Sequence, residues 1–231
     1  MQKESISMTS ERNRIILSAI GIIITTITFI CFIYPGIPLF ISTEAEWLGV
    51  INKSRIFEKF FSMFSNYAFF ISISVPVGLI IYSHLKKLVS MKEKSIHLLL
   101  CWISGTIITN IIKHSVNRPR PFSVYEFIEK MSSGGSPSFP SGHTTDIFII
   151  AFSFMMLFPK HKTAQCTLFF TGLLIAYSRM SLGVHYISDV VGAIGLAMFS
   201  SGITLTFIGH WSAQQSNRFQ SKKIKPDYNL R

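Results

Sequence analysis

The sequence predicts an all-α integral membrane protein, a bundle of six transmembrane helices. Three observations predict it. Of the 231 residues, 48% are hydrophobic and only 14% are charged, against about 25% charged in soluble domains. Mean hydropathy is +0.42. Six apolar runs recur along the chain, five of them free of Asp, Glu, Lys and Arg. This balance excludes a soluble globular domain and a disordered chain.

The runs justify the six helices in order. The first, Ile15 to Tyr34, has 20 uncharged residues, long enough to cross a bilayer. It is not a cleaved signal peptide, because Pro35-Gly36-Ile37-Pro38 follows it rather than a small-residue cleavage site. Residues 44–60 carry Trp47, Leu48, Val50, Ile51, Ile56, Phe57 and Phe60 among charges, which suits either an amphipathic helix lying in the interface or a plain connecting loop. The second run is Phe61 to Tyr82, interrupted by Asn66 and Pro76, and the third is Ser95 to Ile112. The fourth and fifth, Thr144 to Phe158 and Thr163 to Tyr177, have 15 residues each, short of the roughly 17–25 that a bare span needs. Each extends at one end into polar residues that carry motifs. The sixth is Val190 to Trp211. Cys31, Cys101 and Cys166 each lie inside an apolar run and read as packing residues, not as a disulfide framework. The organisation that follows is a cytoplasmic N-terminus at 1–14, the six-span domain at 15–211 and a basic cytoplasmic tail at 212–231.

Six spans put both termini on one side. Fourteen Lys and Arg fall on that side and eight on the other, so the positive-inside rule places both termini in the cytoplasm. The net charge of +11 is then a property of loops beside membrane spans. The basic residues lie between apolar runs rather than on one face, so nucleic acid is not the expected partner.

Three clusters of reactive residues lie at outer ends of the spans: Lys113-x6-Arg120-Pro121, Pro140-Ser141-Gly142-His143, and Ser178-Arg179-x5-His185-x3-Asp189. Six-span topology brings them to one face. Lys113, Arg120 and Arg179 place three cations at one interface, where unpaired cations are costly and mark a site. Such donors suit a phosphate. Ser141 suits the N-cap of the fourth span, leaving the N–H groups of Gly142 and His143 at a helix N-terminus that favours an anion. His185 and Asp189 are four residues apart on one helix face. A hydrogen bond to Asp189 fixes the His185 tautomer and leaves the other ring nitrogen free to attack. His143 is then the acid and base of a two-step phosphoryl transfer through a phosphohistidine.

Blander roles go to the remaining polar residues. His84, His97, His114, His161 and His210 read as interfacial. Asp146 reads as structural, Asn110 as a helix–helix hydrogen bond and Arg118 as a solvent-facing loop arginine. Metal ligation by His143, Asp146, His185 and Asp189 is disfavoured by the three cations and by the lack of a cysteine in the clusters. An anionic-lipid transporter or flippase would also gather cations at helix ends, but it does not require a His185–Asp189 pair facing His143.

The three clusters resemble, position for position, the signature of the type 2 phosphatidic acid phosphatase superfamily, and the stretch from Lys113 to Asp189 carries it. The resemblance implies a metal-independent phosphatase without a cofactor, on a six-helix membrane bundle. It implies that His185 is the nucleophile, Asp189 its orienting partner and His143 the acid. It further implies that Lys113, Arg120, Ser141, Gly142 and Arg179 hold the phosphate. Similar bacterial members act on lipid A 1-phosphate, undecaprenyl diphosphate or phosphatidylglycerol phosphate. The chain is accordingly expected in a bacterial inner membrane, with the site facing the periplasm, a membrane lipid phosphate as its partner and no obligate protein partner. The loop from Phe122 to Phe139 is short, with Gly134 and Gly135 for flexibility, and its Phe122, Tyr125, Phe127, Met131 and Phe139 are expected to line a lipid entrance. A short lid suits a bulky head group, which favours lipid A 1-phosphate. Transfer of the phosphate to a second lipid is the alternative within the same chemistry.

Overall fold

The computed structural model describes residues 2–32, 38–53 and 58–224. Among them the chain is helical, with no strand: α1 (Gln2–Phe32), α2 (Pro38–Lys53), α3 (Glu58–Asn66), α4 (Ala68–Leu85), α5 (Val89–Val116), α6 (Pro121–Val124), α7 (Gly142–Leu157), α8 (Lys162–Ser181) and α9 (Ile187–Ile224). The Pro35-Gly36-Ile37 stretch, Ile56 and Phe57, and the basic tail after 224 lie outside the described residues.

Among the described residues each apolar run is helical. Four helices, α1, α4, α5 and α9, are long and apolar enough to cross a membrane. α7 is apolar but has only 16 residues. α8 has 20 residues and mixes polar with apolar positions. The second run departs from expectation: it is two helices, parted at Tyr67, where a turn separates α3 from α4. Of residues 44–60, those described are helical, in α2 up to Lys53 and in α3 from Glu58. Hydroxyl side chains inside the apolar helices bond back to their own backbone, as Ser18, Thr25, Thr28, Ser72 and Thr109 do to the carbonyl four residues earlier. Such bonds satisfy these hydroxyls without a partner from outside the helix.

α7 is the axis of the core. Ile147 to Ala151 are fully buried, and α4, α5, α8 and α9 surround it, which is where a helix apolar on all sides belongs. α1 lies antiparallel along α9. Arg14 Nη1 donates to the Leu205 carbonyl at 2.7 Å and Glu11 meets His210 at 3.1 Å. Farther along, the Phe29 ring lies 6.5 Å from that of Phe139. One end of the bundle therefore holds the start of α1, the α4–α5 and α7–α8 turns and the end of α9. The other end holds α2, α3, α6, the loop after α6 and the α8–α9 turn. All three sequence clusters lie at this second end.

Candidate active site

A cavity of about 360 Å³ opens at this end, and Lys113, Arg120, Gly142, His143, Arg179 and His185 all line it. Ser141 and Asp189 lie directly behind it, fully buried. Every site residue expected from the sequence is thus at the cavity or in contact with its wall.

Lys113 comes from the last turn of α5. Its Nζ donates to the carbonyls of Pro137 and Pro140, each at 2.8 Å. It thereby pins the loop that feeds α7 and keeps one of its three donors unused by these bonds. Asn117 then ends α5 in a left-handed conformation, φ 49°. The chain turns to present Arg120 just before Pro121 at the first position of α6. Arg120 donates through Nε to the Ser136 carbonyl at 2.7 Å and through Nη1 to the Val184 carbonyl at 2.9 Å. Gly134 lies against this guanidinium: a Cβ there would sit 2.7 Å from Nη1, so a side chain at this position would displace the Arg120 head group.

Ser141 is the N-cap residue of α7, but its hydroxyl pairs with Thr144 Oγ1 at 2.9 Å instead of with a backbone N–H. Its own N–H donates to the Asp189 carbonyl at 3.1 Å, which ties the start of α7 to the start of α9. Gly142 faces open space, since a Cβ there would meet nothing within 4 Å. The His143 imidazole makes no hydrogen bond among the described residues and borders the cavity. Arg179, in the last turn of α8, donates to the Ser65 hydroxyl on α3 and to the Ser133 carbonyl at 3.4 Å. Its Nε is buried without a partner among the described residues, an uncommon and costly condition for an N–H donor.

His185 lies in the α8–α9 turn, 2% exposed. Its Nδ1 is 3.3 Å from Asp189 Oδ2, and Arg120 Nη1 is 3.4 Å from its Nε2. A guanidinium can only donate, so Nε2 carries the lone pair and Nδ1 the proton. Burial holds the imidazole well below the ordinary histidine range, against the opposing pull of Asp189. The ring is neutral at physiological pH with its free nitrogen at the cavity.

The Asp189 carboxylate is itself held on all sides. It accepts from Tyr186 N–H at 2.9 Å, from the Ser138 hydroxyl and from Arg118 Nη1 at 2.6 Å. The expected solvent-facing Arg118 is overturned here, for it is 8% exposed. It bonds Ser188 Oγ at 2.7 Å and Glu44 Oε2 at 3.0 Å, and its guanidinium stacks 3.8 Å over the Tyr186 ring. Glu44 in turn accepts the Ser188 N–H at 2.5 Å. Burial pushes its carboxyl above the ordinary range, while Arg118 and Ser188 pull it down. Glu44, Ser65, Ser136 and Ser138 escape sequence reasoning because each lies outside the three clusters and bonds a residue distant in the chain.

Asp146 accepts from Thr106 on α5 at 2.9 Å, a link between helices in keeping with a structural role. Asn110 differs from expectation: it donates to the Thr106 carbonyl of its own helix at 2.9 Å. Of the loop aromatics, Phe127 is exposed and Phe122 lines a hollow shared with Arg120 and Gly134. Phe139 is buried against Gly192, and Phe122 and Tyr125 pack on Leu48, Ile128 and Tyr186. The part of this loop that lines the cavity is Ser133 to Ser136.

A model of the PAP2 superfamily matches residues 94–212, just over half of the chain. The chain belongs to the PAP2 superfamily. The matched PAP2 region starts within α5 and contains all three clusters. Within the superfamily, the chain is 26% identical over 157 residues to lipid A 1-phosphatase of Rhizobium etli, covering 61% of this chain and 66% of that protein. It is 35% identical over 96 residues to undecaprenyl-diphosphatase BcrC of Bacillus subtilis, covering 42% of this chain and 48% of that protein. The chain therefore spans less than two thirds of the length of either. Among solved structures, Aquifex aeolicus LpxE superposes with a TM-score of 0.59 at 28% identity, over 69% of this chain and 93% of that one. A transmembrane PAP2-type phosphatidylglycerolphosphate phosphatase from Bacillus subtilis superposes with a TM-score of 0.57 over 93% of this chain, and at 16% identity this likeness is one of fold alone.

Proposed function

We propose that this PAP2 protein is a metal-independent phosphatase of a membrane lipid head group, acting through a phosphohistidine. The observation that carries the reading is the single cavity lined by three cations and two imidazoles, one of them backed by a carboxylate. His185 Nε2 attacks phosphorus and the bond from phosphorus to the lipid oxygen breaks. His143 protonates that oxygen as it leaves. His143 then takes a proton from water, which attacks the phosphohistidine and releases inorganic phosphate with a free His185. Lys113, Arg120, Arg179 and Gly142 hold the phosphate, joined by the Ser141 hydroxyl once it gives up its bond to Thr144, and the cations offset the charge on the phosphate oxygens. Asp189 orients His185.

The preferred substrate is lipid A 1-phosphate, supported by the names of the Rhizobium relative and of the Aquifex structure. Undecaprenyl diphosphate is the second reading, favoured by the higher identity to BcrC over a shorter stretch. The proposed setting is a six-span bundle in which α7 and α8 also cross the membrane. The fourteen-to-eight excess of Lys and Arg at the end bearing the termini supports cytoplasmic termini and a site open to the periplasm.

Phosphate release by the detergent-purified protein, with EDTA present, tests the reading on lipid A, undecaprenyl diphosphate, phosphatidylglycerol phosphate and phosphatidic acid. Release that His185→Ala abolishes is the expected result, fastest on lipid A. Release unchanged in His185→Ala would remove the nucleophile. No release from any lipid by a folded sample would leave the transporter, or a phosphotransferase lacking its acceptor lipid.

A further inference from the structure

The end of the bundle opposite the cavity holds a second hollow that phosphoryl transfer does not use. It is an open groove of about 870 Å³ between α4, α7 and α8. Its floor is apolar, with Val75, Leu79 and Phe154, and its rim carries Lys160 and Lys162. Gly78 opens onto it, because a Cβ there would meet nothing within 4 Å. An adjoining hollow of about 470 Å³ adds Lys87 and Lys94 to the same corner. None of the residues lining either hollow is Asp or Glu. Among the described residues none of these four lysines has a carboxylate partner.

These features fit one occupant. The floor is formed by helices whose outer faces are apolar, so at membrane depth it must be covered by hydrocarbon. Lys160 and Lys162 stand exposed at the end of the same groove, with Lys162 Nζ 3.4 Å from Gln165 Oε1, and lysine stems at such a position reach to the interface where lipid phosphates lie. Basic hollows between membrane helices select anionic head groups, whereas a zwitterionic head group brings its own cation to the rim. We infer that this groove binds an anionic glycerophospholipid, with an acyl chain along the α4–α7–α8 floor and the phosphate on Lys160 and Lys162. The lipid belongs to the leaflet opposite the proposed active site. It is not substrate, and it braces α4 against α7 and α8. This inference is independent of the proposed reaction.

Native mass spectrometry of the full chain in detergent tests it, with phosphatidylglycerol and phosphatidylcholine of identical acyl chains as probes. The wild type is expected to retain phosphatidylglycerol over phosphatidylcholine by about tenfold, and the Lys160→Gln/Lys162→Gln variant to fall to near parity. Gly78→Leu puts a side chain into the groove and is expected to lose both lipids. Lys113→Gln, at the other end, is expected to keep the wild-type preference. Thermal unfolding without added lipid checks that each variant is folded, and the lysine variant decides alone if Gly78→Leu is not. Phosphatidylglycerol should also raise the unfolding temperature of the wild type and not that of the lysine variant. An undiminished preference in the lysine variant overturns the proposal. Full lipid retention by folded Gly78→Leu also overturns it. Loss of the preference in Lys113→Gln would move the lipid to the phosphate cavity and overturn it as well.

Discussion

Arg118 joins three segments that lie far apart in the sequence. It bonds Glu44 on α2, sits over Tyr186, and holds Ser188 and Asp189 at the start of α9. Only a planar fork can serve two carboxylates and stack on a ring at once, and an ammonium cannot. Arg118 is absent from the cavity lining, so its effect on chemistry runs through Asp189 and then His185: it is a positioning residue. Arg118→Gln is expected to destabilise the protein by about 3–5 kcal/mol, because two buried carboxylates lose their cation. The lipid-phosphate kcat is expected to fall at least about tenfold with KM little changed, as for a loss confined to the transition state. Thermal unfolding and steady-state kinetics on the same preparation check both, and a rise in KM alone would contradict a positioning role. The Lys113, Arg120, His143, Arg179, His185 and Asp189 set was legible because its spacing is local to each cluster. Arg118 was not, because Glu44 stands 74 residues away and no periodicity encodes such a pair.

At the scale of the element, α1 shows how a lipid-facing helix is held. Only 11% of its most apolar window is buried, so burial of apolar area contributes little to its docking. What holds it is close approach to α9 through small residues. A Cβ on Gly21 would collide with the backbone of Gly195 and Phe199, and one on Gly195 would lie 2.7 Å from Thr25 Oγ1. Ser18 and Thr25 reach the carbonyls of Phe199 and Gly192 at 3.4 Å. In hydrocarbon this packing of small residues, with hydroxyls across the seam, drives helix association. Gly21→Val is expected to cost about 1–3 kcal/mol through overpacking and to lower the unfolding temperature in detergent. Gly78→Ala, facing open space, should leave it unchanged or raise it slightly. Equal effects at the two positions would remove the seam argument. Hydropathy located all six apolar helices but not the turn at Tyr67, since composition reports that a segment is apolar and not where its helix is interrupted. Arg179 bonding Ser65 secures the end of α3 at that break, and it is another long-range pair that no local pattern carries.

The whole molecule has two chemically distinct ends. One gathers the cavity lined by Lys113, Arg120, Arg179 and two imidazoles, and the other carries the excess of lysines and the groove beside Lys160. The fold fixes which residues share an end, while charge decides which compartment each end faces. The fourteen-to-eight bias rests on Lys and Arg alone, and positive charge is what orients a bundle during insertion. Cysteine accessibility reads this directly. In a background with Cys31, Cys101 and Cys166 replaced by Ala, Lys130→Cys places a thiol in the exposed loop after α6 and Lys86→Cys one in the exposed α4–α5 turn. A membrane-impermeant maleimide applied to cells with a permeabilised outer membrane is expected to label Lys130→Cys and to label Lys86→Cys only after lysis. The reverse pattern would put the cavity in the cytoplasm, out of reach of a head group in the outer leaflet of the inner membrane, and the preferred substrate would have to change. Labelling of both before lysis would mean that the loop and the turn share a side, so that α4 and α5 do not carry the chain between compartments as the six-span arrangement requires. Only the expected pattern leaves a lipid head group free to reach His185 from the periplasmic side while the lysines meet the anionic surface of the cytoplasmic leaflet.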